Sequence, residues 1–283
     1  MNSFRVLILS LLMPLSIHAH PGIGLVYDGE STIYYTDLVH IWKMDTQSGE
    51  ASIFLENIHS HELWLDIDGS LYGEHYWYDE SNQVFKHYIW MATTDGELTK
   101  ISDTIVGEND HFSFIRENQY TSYSFSPFNS DFQFIKEISD SIKVFIATTL
   151  TNPGWMYLAQ DSSIILSNRT SDNANQILSI NLSNGNTKTL ADNITISKLP
   201  FSFLDDSHHV FGIWQDDQAN IYVALYGGRQ VVRIDHEMNQ ETVLESSFFW
   251  SPVNGVFDSN NDLWLMEASL RGKVRVRKVS LIG

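Results

Sequence analysis

A strand, a tight turn and a second strand recur along this chain at intervals of about 40 residues, and few folds accommodate such a repeat. The clearest copy is Leu63-Trp64-Leu65, the turn Asp66-Ile67-Asp68-Gly69, then Leu71-Tyr72. β-formers flank a turn whose glycine can adopt positive φ, which predicts a hairpin. The apolar-aromatic doublet Leu71-Tyr72 has counterparts at Ile33-Tyr34, Ile221-Tyr222 and Leu263-Trp264. Looser copies lie in Trp155–Asn168 and within Asp110–Ser139, so six units are counted. A third strand follows each clear copy, as in His40–Asp45, Tyr88–Met91 and Gln230–Asp235. Strand-rich units of this length predict an all-β fold, a six-bladed β-propeller with four-stranded blades. A β-sandwich is the competing architecture, but sandwiches do not repeat one hairpin at nearly fixed spacing. The last unit ends close to Gly283, so ring closure is expected to rest on packing between the first and last blades.

Residues 1–19 carry one arginine, an apolar run from Val6 to Leu15, and Ile17-His18-Ala19 as a cleavage site. The run is too short to span a bilayer and predicts a secretory signal, leaving a single propeller domain over residues 20–283. A periplasmic or secreted location follows, and no membrane insertion is expected. The formal charge of −18 makes a nucleic-acid partner untenable, because phosphate backbones need neutralising cations. Without cysteine the chain has no disulfide and no thiol nucleophile. Gly-x-Ser-x-Gly is absent as well.

In a blade, the start of the first strand and the end of the second reach the same end of the central channel. Aligning the doublets collects His20, His59, His61, Glu62, His208, His209 and Asn254 before first strands. Asp37, Glu74, His75, Asn168, Arg169 and Glu267 follow second strands. Imidazoles and carboxylates converging at a channel mouth suit a divalent metal with an open position for water or substrate. His61, Glu62, His209, Asn254 and Glu267 are the candidate metal donors, with Glu74 and His75 as proton carriers. Each also has a structural explanation: tying a turn, ending a strand, or joining a solvated loop such as Asp205-Asp206-Ser207. The doublet aromatics Tyr34, Tyr72, Tyr222 and Trp264 are expected between blades, in the core. Tyr76-Trp77-Tyr78 open a long insertion up to Lys86, read as a loop over the mouth that lines a lid or a carbohydrate-binding surface.

The pattern Pro-x-x-Gly-[apolar], then Asp-x-x-x-x-[apolar]-[Tyr/Trp], resembles NHL-type repeats. Ser251–Glu267 matches it best, then His20–Asp37 and His208–Ala224. More widely the chain resembles six-bladed propellers of the senescence-marker/gluconolactonase and strictosidine-synthase-like superfamily. That resemblance implies a divalent ion (Ca, Zn or Mg) held in the channel by acidic and Asn side chains, with hydrolysis of a lactone or similar ester. Glu62, Asn168, Asn254 and Glu267 are the residues here that match such roles, whereas Gly22 and Gly24 stand where an early acidic ligand is expected. The histidines resemble those of zinc-dependent amidating-lyase propellers, with His61 and His209 in the matching places. The expectation is an exported, metal-dependent hydrolase or lyase. The alternative is a non-enzymatic propeller that binds a small molecule, a glycan or a partner protein.

Overall fold

The computed structural model describes residues 22–107, 115–118, 121–128, 131–138, 142–170, 175–194, 210–269 and 271–281. Their strands form six antiparallel sheets, each built from consecutive strands in sequence order. The first blade holds β1 (Leu25–Tyr27), β2 (Thr32–Thr36), β3 (Ile41–Asp45) and β4 (Ala51–Leu55). The second holds β5 (Leu63–Leu65), β6 (Leu71–Asp79), β7 (Val84–Ala92) and β8 (Leu98–Lys100), and β9 (Ile105–Val106) pairs with the far end of β7. Blade three comprises β10 (Ile115–Asn118), β11 (Thr121–Phe128), β12 (Asp131–Ile138) and β13 (Ile142–Leu150). Blade four comprises β14 (Pro153–Leu158), β15 (Ser163–Arg169), β16 (Asn175–Asn181) and β17 (Thr187–Ala191). Blade five comprises β18 (Val210–Gln215), β19 (Ile221–Leu225), β20 (Gln230–Ile234) and β21 (Gln240–Glu245). The sixth has three strands among the described residues: β22 (Trp250–Phe257), β23 (Leu263–Ser269) and β24 (Val274–Val279).

One turn explains the repeat. In blades two, four, five and six the first turn residue donates its N–H to the carbonyl four positions on. It then accepts from the N–H three positions on: Asp66 with Ser70 and Gly69, Ala159 with Ser163 and Ser162, Asp216 with Asn220 and Ala219, Asp258 with Asp262 and Asn261. The third-on residue is left-handed each time, with φ of 83° at Gly69, 60° at Ser162, 64° at Ala219 and 61° at Asn261. This is a three-residue hairpin connection closed by a left-handed residue. In blades five and six the aspartate at its head does a second job. Asp216 accepts from the Tyr222 hydroxyl at 3.0 Å and Asp258 from the Trp264 indole at 3.0 Å. The spacing Asp-x-x-x-x-[apolar]-[Tyr/Trp] is therefore a turn tied to the aromatic of its own second strand. Tyr34, Tyr72, Tyr222 and Trp264 are all buried; Tyr34, Tyr222 and Trp264 sit in the core between blades as expected, whereas Tyr72 lines a cavity.

Apolar contacts carry the ring from blade to blade. Ile33, Trp155, Phe211, Val223 and Leu265 belong to a core shared by blades one, four, five and six. Tyr123, Leu166 and Ile180 join blades three and four, and Ile41, Leu71 and Trp90 join blades one and two. First and last blades are stitched directly: Asn254 Nδ2 donates to the Ile23 carbonyl at 2.7 Å, and Tyr27 Oη to Ser259 Oγ at 3.2 Å. Gly24 lets the inner strands of blades one and two close up, since a Cβ there would lie 3.0 Å from Leu63 N and 3.1 Å from Glu62 C.

Two sequence expectations change. The third unit runs from Ile115 to Leu150 rather than within Asp110–Ser139. Its later strands are eight and nine residues long, so the spacing to the next doublet stretches and hides its limits. The insertion read as a loop over Tyr76–Lys86 is instead ladder: Glu74 to Asp79 pair with Ile89 to Val84 in unbroken register.

Candidate functional site

A cavity of about 530 Å³ is lined by residues of all six inner strands, among them Leu25, Leu63, Ile115, Tyr157, Ile213 and Val256. It is therefore the central channel. Most of its wall is apolar or aromatic, and the carboxylates that line it, Glu62 and Glu74, both come from blade two. No lysine, arginine or histidine is among the described lining residues.

The blade-two hairpin sets their geometry. β5 and β6 pair Leu63 with Gly73 and Trp64 with Tyr72, which puts Glu62 opposite Glu74 one step beyond the ladder. Like charges facing across two strands repel. Burial first, and the Glu74 charge second, push the Glu62 carboxyl well above the ordinary glutamate range. Glu74 has a partner of its own: its Oε1 lies against Nδ1 of His87, a residue 2% exposed on β7. Two carboxyl groups on one wall thus have unlike surroundings: Glu62 is pushed toward its acid form, and Glu74 has His87 beside it.

The preceding segment locks this wall to blade one. The His61 carbonyl accepts from Ile23 N at 2.7 Å and Gly24 N at 2.8 Å, and Ser60 O accepts from Thr36 Oγ1 at 2.8 Å. Ser60 Oγ donates to the Glu74 carbonyl at 2.7 Å, fixing the strand end that carries Glu74. His61 is buried, and its Nε2 lies 3.0 Å from Nε2 of His59, one ring donating and the other accepting.

His75 does not join Glu74. Neighbours on a strand point to opposite faces, and His75 packs on Trp77 and Tyr88 with ring centroids 5.2 Å away in each case. Its Nδ1 accepts the His59 N–H at 3.0 Å, so the neutral ring carries its proton on Nε2. Burial, then the charge of His59, lowers its pKa. Glu74 and His75, the two candidate proton carriers, thus lie apart on opposite faces of β6, and the histidine on Glu74 is His87. Sequence reading missed His87, although the diagonal of a continued hairpin (Glu74 opposite Ile89, two residues on) would have pointed to it.

The other candidate donors disperse. Asn254 lines the channel, but its amide holds Ile23 O and its Oδ1 accepts from Gly255 N at 2.9 Å. Glu267 is fully buried, with Arg275 Nε at 2.8 Å and Arg277 Nε at 2.7 Å. Burial acts to raise its pKa, but hydrogen bonds from Arg277, Ser246 and Arg275 outweigh it and hold the carboxyl low. This is a structural ion triad rather than a ligand. Asn168 bridges Asn152 N and Gln176 Oε1. His209, like His20 and His208, lies outside the described residues. Among the described residues no group of three or more His, Asp or Glu is arranged to hold a metal ion. Of the five candidate donors, Glu62 and Asn254 line the same channel, and the His61 carbonyl holds blade one. Glu267 is taken up by Arg275 and Arg277, and His209 lies outside the described residues.

No protein-family model matches the sequence, and no curated protein is similar enough to match it. Solved structures do match over most of the chain. A gluconolactonase from Xanthomonas campestris is 12% identical, with a TM-score of 0.57, covering 94% of this chain and 88% of that one. A streptogramin B lyase is 14% identical, with a TM-score of 0.52 over 93% and 95% of the two chains. A chain of a nidogen/laminin complex is 13% identical, with a TM-score of 0.56 over 89% and 93%. Identity this low speaks to architecture alone. The chain is a β-propeller of the type found in gluconolactonase and streptogramin B lyase structures.

Proposed function

We propose that the chain is an exported enzyme, a hydrolase or lyase, that takes a small molecule into the central channel and works on it by acid–base chemistry at the blade-two wall. The observation that carries this is the unlike pair Glu62 and Glu74, side by side in one cavity. A carboxyl held toward its acid form beside a second, histidine-partnered carboxyl supplies an acid and a base in one site. Glu62, whose acid form is favoured, protonates a leaving or carbonyl oxygen. Glu74, oriented by His87, accepts a proton. The apolar channel wall limits water and strengthens both interactions.

The test is a screen of the mature protein against small lactones, esters and elimination substrates, repeated with Glu62→Gln and Glu74→Gln. Loss of about 10²–10⁴-fold in kcat/KM in either variant, with the fold intact, is expected of a positioned acid or base. Unchanged turnover in both overturns the reading. A divalent ion (Ca, Zn or Mg) enters it only if elemental analysis finds about one equivalent in the active protein. The second reading, a non-enzymatic binder of a small molecule, glycan or protein, draws on the aromatic faces of the β6–β7 hairpin. It is favoured if the screen finds no turnover while a ligand binds.

A further inference from the structure

Two phenylalanines stand out from the surface where the chain enters blade six. Trp250 N donates to Ser247 O at 2.9 Å, closing a turn whose central residues are Phe248 and Phe249. Such positions usually take Gly, Pro, Asn, Asp or Ser. Here both rings project, 65% and 67% exposed, edge to face with centroids 5.2 Å apart. Rings so exposed add little to the core.

Cations surround this finger. The Arg229 guanidinium lies 5.2 Å from the centre of the Phe248 ring, and Arg229 O accepts from Ser246 N at 2.7 Å, which ties its turn to the base of the finger. The Arg275 guanidinium lies 4.1 Å from the centre of the Trp250 ring. Trp250 pairs with Ser269, and Ser269 N donates to Lys273 O at 2.8 Å. The turn so closed brings the exposed Arg271 and Lys273 alongside. Arg275 is already committed to Glu267, but Arg229, Arg271 and Lys273 have no carboxylate partner among the described residues. Glu245, the exposed acid nearest along the chain, takes Gln230. Five of the chain's 17 Lys and Arg fall between Arg271 and Lys278, in a molecule of formal charge −18.

We infer that this finger docks the protein on an anionic lipid surface, the phenyl rings entering the boundary between headgroups and acyl chains while Arg229, Arg271 and Lys273 meet lipid phosphates. Aromatic rings favour that boundary, and long cationic side chains reach headgroups from apolar stems. From apex to base the finger runs apolar then cationic, and an anionic bilayer offers acyl chains and then phosphates in the same order. Such docking is peripheral and needs no membrane span. The rest of the acidic surface is repelled by such a membrane, which confines contact to this edge. Glu80, exposed at the tip of the β6–β7 hairpin, keeps blade two off it. The finger precedes a first strand, so docking holds one edge of the channel mouth at the lipid.

Flotation with vesicles tests this. Phosphatidylcholine vesicles containing about 30% phosphatidylglycerol are expected to bind the mature protein about tenfold tighter than phosphatidylcholine alone. Added salt is expected to weaken that binding. Phe248→Ser/Phe249→Ser and Arg271→Glu/Lys273→Glu are each expected to lower it about tenfold. Both double variants change exposed turns, an unchanged Tm confirms their fold, and the comparison of the two vesicle types needs no variant at all. No vesicle binding, equal binding to the two types, or full affinity in both variants overturns the inference. So does displacement from vesicles by soluble glycerol phosphate, which marks a small-anion site. The channel chemistry is independent of this surface: turnover without vesicle binding removes the docking alone.

Discussion

Asp258 shows how single residues carry this architecture. It is buried, holds the N–H groups of Asn260 and Asp262, and accepts the Trp264 indole. Asp258→Ala leaves that indole and the turn amides without their acceptor, at about 1–3 kcal/mol. The expected result is a fall in Tm of several degrees by calorimetry, at roughly 2–4 °C per kcal/mol for a domain this size. His75 is the residue whose role shifts most from expectation. Its native pKa lies below the ordinary histidine value of 6.5, so the folded state binds fewer protons than the unfolded one as pH falls through that value. His75 therefore contributes stability above pH 6.5 that is lost below it. His75→Asn keeps an acceptor for the His59 N–H and removes the titration. Its Tm is expected to fall less than that of the wild type between about pH 7 and pH 5, roughly an unfolded-state histidine's range, with turnover retained. A variant that instead loses turnover returns His75 to the catalytic set.

At the scale of elements, β6 and β7 are the departure from the repeat. β19, the corresponding second strand in blade five, has five residues, whereas β6 and β7 have nine each. The overhang of about four residues rises roughly 13 Å at 3.3 Å per residue. It is aromatic on both faces: Tyr76 stacks on Phe85 at 5.0 Å, and Trp77 meets Tyr88 at 5.7 Å. Replacing Trp77–Lys86 by Asn-Gly makes Tyr76 and His87 the last pair of a two-residue hairpin. The ring should keep its Tm within a few degrees, while KM for an active substrate rises about tenfold and kcat changes little. An unfolded variant, or unchanged KM, contradicts a recognition role for the overhang. The repeat itself is legible in the sequence because turn chemistry is local: Asp, a left-handed residue and an aromatic at fixed offsets. The overhang reads as a loop because Tyr76-Trp77-Tyr78 has no period-2 contrast when both faces are aromatic. Blade three blurs for a similar reason, its longer strands displacing the doublet. The site is only half legible, since membership of one channel end follows from topology, but which side chains meet depends on strand alternation and packing. That is why His75 and Glu267 align with Glu62 along the repeat yet pack elsewhere, on Trp77 and Tyr88 and against Arg275 and Arg277.

For the whole molecule, closure and the channel are linked. Asn254 holds blade six to blade one from within the channel wall, so Asn254→Ala should cost about 1–2 kcal/mol. It should also speed proteolysis between the first and last blades. Unchanged protease resistance would place closure in the apolar core alone. The ring it closes encloses the channel that Glu62 lines. The proposed export makes a prediction at this scale: intact mass should place the amino terminus at His20, and an unprocessed mass would contradict it. The ionisation of Glu62 is the most direct test of the proposed chemistry, followed by isotope-edited infrared difference spectra of wild type against Glu62→Gln across pH. The expected result is a carboxylic-acid band, absent in the variant, that persists well above pH 4.5, the ordinary glutamate value. A Glu62 that titrates at that ordinary value would contradict an acid held in the channel wall, and with it the proposed chemistry.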